Sequence, residues 1–178
     1  MVLIRGTAHT FGDDINTDYI IAARYKTVTI DVAEMAQYAL CDIDPGFSSR
    51  VRPGDLVVAG RNFGCGSSRE TAPAVLLALG VGAVLARSFA RIFFRNAINL
   101  GLPALECDTA GICAGDQIEV VLDQGLAINH TRSIELQVTP LPPVMQAVLA
   151  AGGIETYLRL HGDLVLPTAQ QRGSQDNR

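Results

Sequence analysis

The sequence predicts an α/β domain, a sheet packed against helices. Three observations lead there. The apolar content is 48%, yet aromatics are only 6% and Trp is absent, while Gly occurs 17 times. An aliphatic, glycine-rich interior of this kind suits helix-on-sheet layers. From Leu56 to Asn99 the chain alternates strand, glycine-rich loop, helix, strand and helix, and a two-residue alternation returns at Gln117 to Leu122 and Ile134 to Val138.

Taken in order, Val2 to Thr10 alternates loosely as a first strand and runs into Gly12 to Asp18, a loop crowded with turn formers. Val32 to Leu40 has helical spacing, with Asp31 as N-cap. Arg52 to Asp55 is a turn before the strand Leu56 to Ala59. Glycines then crowd 60–66, ahead of a helix expected over Ser68 to Leu79. Ala83 to Ala86 is a short buried strand; Ser88 is expected to cap a helix over Phe89 to Asn99, which Gly101 and Pro103 end. Pro140 to Pro143 opens a last helix, Val144 to Leu160, interrupted at Gly152 and Gly153. The domain is expected to span 1–165, and the polar stretch 166–178 to be a disordered tail.

Composition excludes some functions. Net charge is −4, so no basic field invites nucleic acid. The apolar runs fall well short of the ~20 residues that span a bilayer, so no membrane partner is expected. Met1 to Thr10 lacks the layout of a secretion signal, and a cytoplasmic location is the expectation. Cys41, Cys65, Cys107 and Cys113 form no C-x-x-C pair and fit neither a zinc site nor a compact iron–sulfur motif, so no metal is expected on this chain. Cys65 reads as a small side chain in a tight turn or as a redox-sensitive thiol. His9, His130 and His161 show no ligand or triad spacing and are read as structural.

The segment Gly64 to Glu70 (GCGSSRE) carries the chemistry. Gly64 and Gly66 let a ligand approach the backbone closely. Ser67 and Ser68 add hydroxyls, and Arg69 adds a planar fork matched to a carboxylate. A following helix would add unpaired backbone N–H groups and partial positive charge. The plain alternative is that a serine only caps the helix and Arg69 is solvated. The pattern is neither a P-loop nor a dinucleotide fingerprint.

Residues 60–73 (GRNFGCGSSRETAP) resemble the signature of the aconitase swivelling-domain family, within it the separate small subunits of the 3-isopropylmalate dehydratase type. Residues 12–21 (GDDINTDYII), 86–103 (ARSFARIFFRNAINLGLP) and 151–158 (AGGIETYL) resemble further stretches of that family, in the same order. The resemblance runs from about residue 1 to 165 and implies the swivelling β/β/α fold.

It also implies a hydro-lyase subunit that is incomplete without a large subunit, on which a [4Fe–4S] cluster resides. The two chains would form a heterodimer that dehydrates and rehydrates a dicarboxylic hydroxy acid, isopropylmalate in leucine biosynthesis. By that carry-over Ser67 takes the proton from carbon, and Ser68 and Arg69 hold substrate carboxylates. Thr17 and Asp18 match the family's Thr-Asp step, with Asp18 orienting groups; an Asx-type turn is the alternative there. Gly66 lies against the substrate. Ile20 and Ile21, with Arg24 beyond them, match the loop that selects the substrate's side group, and an apolar loop points to a branched alkyl. The chain departs from the family pattern at Ala22, Lys26 and Thr71, where Pro, an apolar residue and His are usual. Homoaconitase, a methyl- or dimethylmalate dehydratase, and a non-catalytic anion-binding module therefore remain as alternatives. Arg87, Arg91 and Arg95 fall at helical spacing, on a face that would serve the large-subunit interface, the anion cleft or solvent alone.

Overall fold

In the computed structural model, which describes residues 3–164, the expected α/β architecture is present as one seven-stranded mixed sheet with helices on both faces. Strand β1 (Leu3–Thr10) leads through the single-turn helix α1 (Thr17–Ile20), a 3-10 turn (Ala23–Thr27), α2 (Val32–Ala36) and α3 (Phe47–Arg50) to β2 (Leu56–Ala59). There follow α4 (Thr71–Ala78), β3 (Ala83–Ala86), α5 (Arg91–Leu100) and β4 (Ala104–Glu106). The last part is strand-rich, with β5 (Gln117–Val121), β6 (Leu126–Asn129) and β7 (Ile134–Gln137), then α6 (Pro143–Ala150) and α7 (Ile154–His161). The tail expected over 166–178 lies outside the described residues.

The strand order is β4-β3-β2-β1-β5-β6-β7. Strands β1 to β4 are mutually parallel, whereas β5, β6 and β7 continue from β1 as antiparallel neighbours. In β2 and β3 every residue is buried, as a strand covered on both faces requires. Val57 and Ala59 face a core built with Met35, Phe47, Val75 and Phe93, while Leu56 and Val58 face a second core built with Ile118, Val148, Leu149 and Tyr157. Beyond the two edge strands the chain nearly closes the sheet on itself. Cys107 bridges Val138 in antiparallel fashion, and Thr139 N donates to Glu106 O at 2.8 Å.

Three expected helices differ. The helix foreseen from Ser68 begins at Thr71, so Ser67, Ser68 and Arg69 lie in the loop before it. The helix foreseen from Phe89 begins at Arg91 and has no side-chain cap, because Ser88 Oγ accepts instead from Asn62 N at 2.9 Å. The helix foreseen over Val32 to Leu40 is regular only to Ala36, although Asp31 does cap it through Ala33 N at 2.7 Å.

Three carboxylates are buried in the sheet's polar seams. Asp55 accepts from Thr7 N, Arg52 N and His9 Nε2 at 2.8–2.9 Å. Asp116 accepts from Cys113 N, Asn129 Nδ2 and Arg132 Nε, and Glu119 from Arg5 Nε and His130 Nε2. Burial raises the Asp55 pKa, but the bonds from His9 and the backbone outweigh it and hold the group below its ordinary value. The Cys113 N–H and the Asn129 amide lower Asp116, and the Arg5 guanidinium and His130 lower Glu119. A depressed carboxylate contributes stability that is full above its unfolded pKa, about 4, and is lost as pH falls through the folded value. The melting temperature is therefore expected to drop steeply below about pH 4. Glu119→Gln should flatten that acid limb; an unchanged limb in this variant would remove Glu119 from the account.

Candidate active site

The site is assembled at the carboxyl ends of the parallel strands, where open α/β sheets place their ligands. The loops that leave β1, β2 and β3 do not diverge there. They continue the ladder. Gly60 N donates to Gly12 O at 3.0 Å, Asp14 N to Arg61 O at 2.8 Å, Gly64 N to Ile15 O at 2.7 Å and Thr17 N to Cys65 O at 2.8 Å. Asn16 and Cys65 form a parallel bridge, as do Phe63 and Phe89. Side chains lock the same seam: Arg61 pairs with Asp13, and Asn62 Nδ2 donates to Asp14 Oδ1 at 2.7 Å. Asp14 and Asn62 both adopt positive φ, a conformation that Asp and Asn tolerate better than most residues. These pairs were not singled out in the sequence, although the run of turn-forming Asp and Asn residues was the local signal available.

This zipper brings Thr17 and Asp18 to Ser67 and Arg69, about fifty positions along the chain. Thr17 is buried at 2% exposure and its hydroxyl donates to Ser67 O at 3.1 Å. Asp18 forms an ion pair with Arg69 through Nη1, which also reaches Ile21 O at 3.5 Å. Among the described residues only Nη1 of Arg69 is engaged, so the Nη2 and Nε donors stay available to an anion. Ser67, Ser68 and Asp18 are exposed, and Gly66 presents its backbone beside them at a φ of 95°.

Gly64 is required by packing. At φ 78° a Cβ there would sit 2.2 Å from the Phe93 ring and 2.4 Å from its Cβ. The backbone of the serine loop thus rests directly on α5.

The loop 20–24 is arranged differently from its sequence reading. Ile20 and Ile21 are at 0% exposure, packed in the core with Met35, Leu40 and Phe47. Their side chains anchor the loop and do not reach its surface, where Tyr19, Ala23 and Arg24 are exposed. Arg24 is ion-paired to Asp42, bonded to the Tyr25 hydroxyl at 3.2 Å and placed 4.7 Å from the Tyr25 ring centroid, which in turn stacks on Tyr38. An alternating or helical pattern cannot tell an apolar loop facing a ligand from one facing the core.

Cys65 is half-buried, and burial with the nearby Asp14 charge raises its pKa, so a thiolate is disfavoured at neutral pH. Burial pushes Cys107 up to about 11. Among the described residues no group of three or more His, Cys, Asp or Glu side chains is placed to hold a metal ion. His9, His130 and His161 lie against Asp55, Glu119 and the Tyr157 ring.

An exposed serine pair thus stands beside an ion-paired guanidinium on the rim of a helix-covered mixed sheet. Residues 22–110 match the family described as the aconitase C-terminal domain. The chain belongs to that family, and small subunits of 3-isopropylmalate dehydratase are among the relatives it matches. The one from Archaeoglobus fulgidus is 52% identical over 89% of this chain and 96% of its own length; that from Moorella thermoacetica is 52% identical over 88% and 95%. The crystal structure of 3-isopropylmalate dehydratase from Methanocaldococcus jannaschii superposes with a TM-score of 0.87 at 42% identity, covering 90% of this chain and 96% of the other.

Proposed function

We propose that this chain is the small subunit of a 3-isopropylmalate dehydratase, a cytoplasmic hydro-lyase of leucine biosynthesis that interconverts 2- and 3-isopropylmalate with a large subunit in a heterodimer. The observation that carries the reading is the junction of two loops about fifty residues apart, with Thr17 Oγ1 on Ser67 O at 3.1 Å and Asp18 on Arg69. A binding module for an anion needs the arginine but has no use for a serine whose backbone is fixed beside it.

In this reading the Ser67 side-chain oxygen, as an alkoxide, takes the proton from the substrate carbon. The C–H electron pair forms the alkene while the hydroxyl on the neighbouring carbon leaves with its C–O pair; in rehydration the Ser67 hydroxyl returns that proton to carbon as hydroxide adds. Thr17 fixes the Ser67 carbonyl and hence the loop's orientation. Because α4 begins only at Thr71, its N-terminal N–H groups lie beyond the serine, and Arg69 is the loop's nearby positive charge. Asp18 holds one edge of that guanidinium, leaving the other edge and the Ser68 hydroxyl for a substrate carboxylate. A [4Fe–4S] cluster on the large subunit would supply Lewis-acid chemistry to the departing hydroxyl. With Ile20 and Ile21 turned inward, recognition of the alkyl group on this chain falls to the exposed surface of the loop, Tyr19 and Ala23, and Arg24 braces that loop through Asp42.

The test is anaerobic reconstitution with the large subunit, assayed for hydration of isopropylmaleate. Turnover should require both chains. Turnover of homoaconitate or a methylated maleate alone would keep the reaction and change the substrate. Absence of both association and turnover would leave only an anion-binding module.

A further inference from the structure

The arginines of α5 have no part in the cleft described above. Arg91 and Arg95 stand one turn apart on that helix and line a concavity of about 370 Å³ whose floor includes Phe89, Phe94, Leu141 and Met145. Both guanidiniums are exposed, and neither has a hydrogen bond or ion pair among the described residues; Glu106, which also lines the concavity, pairs with neither. Their neighbours along the same rim behave differently. Arg61, Arg69 and Arg87 are each ion-paired, to Asp13, Asp18 and Asp108. On a chain of net charge −4, two adjacent uncompensated cations above an apolar floor are a local exception. Arg87, set before α5 and bound to Asp108, leaves the arginine face that the spacing had drawn as three.

Position gives the groove its meaning. Phe89 lines it, and the backbone of Phe89 is bridged to Phe63, in the loop that carries the serines. The groove is therefore the lateral continuation of the rim on which Ser67, Ser68 and Asp18 lie exposed. A chain that closes over those residues has the groove beside it, through the Phe63–Phe89 bridge. Resting on the functional reading above, we infer that the groove is a docking site for the large subunit, which presents there a segment carrying acidic side chains beside an apolar or aromatic one. The acids meet Arg91 and Arg95, and the apolar group covers Phe94 and Met145. Rim charges of this kind act mainly through the rate and salt dependence of association.

The experiment is the double charge reversal Arg91→Glu, Arg95→Glu in the full chain. Glutamate near a helix N-terminus is electrostatically favoured, so α5 is retained; a thermal melt checks this. Against the large subunit, Kd should weaken by on the order of ten- to a hundredfold with a shallower salt dependence. Turnover per complex at saturating large subunit should stay within about twofold, since neither arginine touches substrate. Met145→Asp, which spoils the floor and leaves the cations, should weaken Kd in the same way. An unchanged Kd in both variants overturns the inference, as does a raised KM at unchanged Kd, which would make the groove a substrate subsite. Sedimentation of the small subunit alone covers the remaining occupant: a wild-type dimer that these variants convert to monomer would assign the groove to a second copy of this chain and overturn it too. If the wild-type chains fail to associate at all, the functional reading falls together with this one.

Discussion

Replacing Ser67 by alanine should lower kcat by about 10²–10⁴-fold, the range for loss of a positioned proton-transfer group, while leaving association with the large subunit and the melting temperature unchanged. The side chain is exposed and its hydroxyl makes no hydrogen bond among the described residues, so its removal costs the fold nothing visible. The loop's position is set by backbone contacts that alanine keeps, with Ser67 O held by Thr17 and Cys65 O by Thr17 N. Loss confined to kcat, with KM little changed, is the signature of a group that acts in the transition state. Turnover within about tenfold of the parent would fall short of the acid–base range and remove Ser67 from the role of base.

The second large effect is on stability. Gly64→Ala should destabilise the chain by about 3 kcal/mol, combining overpacking against Phe93 with a left-handed backbone that alanine resists. For a chain of this length that is a fall of about 6–12 °C in melting temperature. The clash involves the Phe93 Cβ at 2.4 Å as well as its ring. Trimming Phe93 to alanine should therefore not rescue the variant, and the double mutant should be worse than either single one. Gly66→Ala is the internal control. Its φ of 95° is equally unfavourable, but the nearest atom to an added Cβ is Thr17 Oγ1 at 3.4 Å, so its melting temperature should fall less. A rescue by Phe93→Ala would mean the loop, rather than α5, gives way.

Much of the fold was legible because its central strands carry the simplest signal. Leu56–Ala59 and Ala83–Ala86 are continuous aliphatic runs bounded by glycine, proline and aspartate, and their ends agree with the sequence reading. The break at Gly152 and Gly153 was equally plain and separates α6 from α7. Two strands were missed: β4 has only three residues, and β6 follows a tight turn that closes at Gly125. The helix starts at Ser68 and Ser88 were misplaced for one reason. A serine before an apolar stretch has the local chemistry of a cap, but Ser88 Oγ is taken up by Asn62 N, and Ser68 follows Ser67, whose carbonyl is held by Thr17; these long-range pairings override the local signal.

The candidate site divides along the same line. The Thr17–Asp18 and Ser67–Arg69 steps were visible as motifs, each within a few residues. Their meeting depends on the Asn16–Cys65 bridge and on the Asp13–Arg61 and Asp14–Asn62 pairs, of which the sequence shows the turn-forming residues but not who partners whom. The opposite error occurred at Ile20 and Ile21, apolar side chains that the core rather than the cleft has claimed.

The placement of β1 in the middle of the sheet has a consequence for how the protein is made. Strand β1, the earliest of the seven strands to be synthesised, is flanked by β2 on one side and β5 on the other. Its outer hydrogen bonds therefore wait until residue 121 has been synthesised, and the Cys107–Val138 bridge waits longer still. A nascent chain that ended with the family-matched span, at residue 110, would hold β1 with one edge bare and β5 to β7 missing. Such a chain offers an unpaired strand to its neighbours on a polysome. Synthesis through β7 is thus the moment at which this sheet acquires its shape.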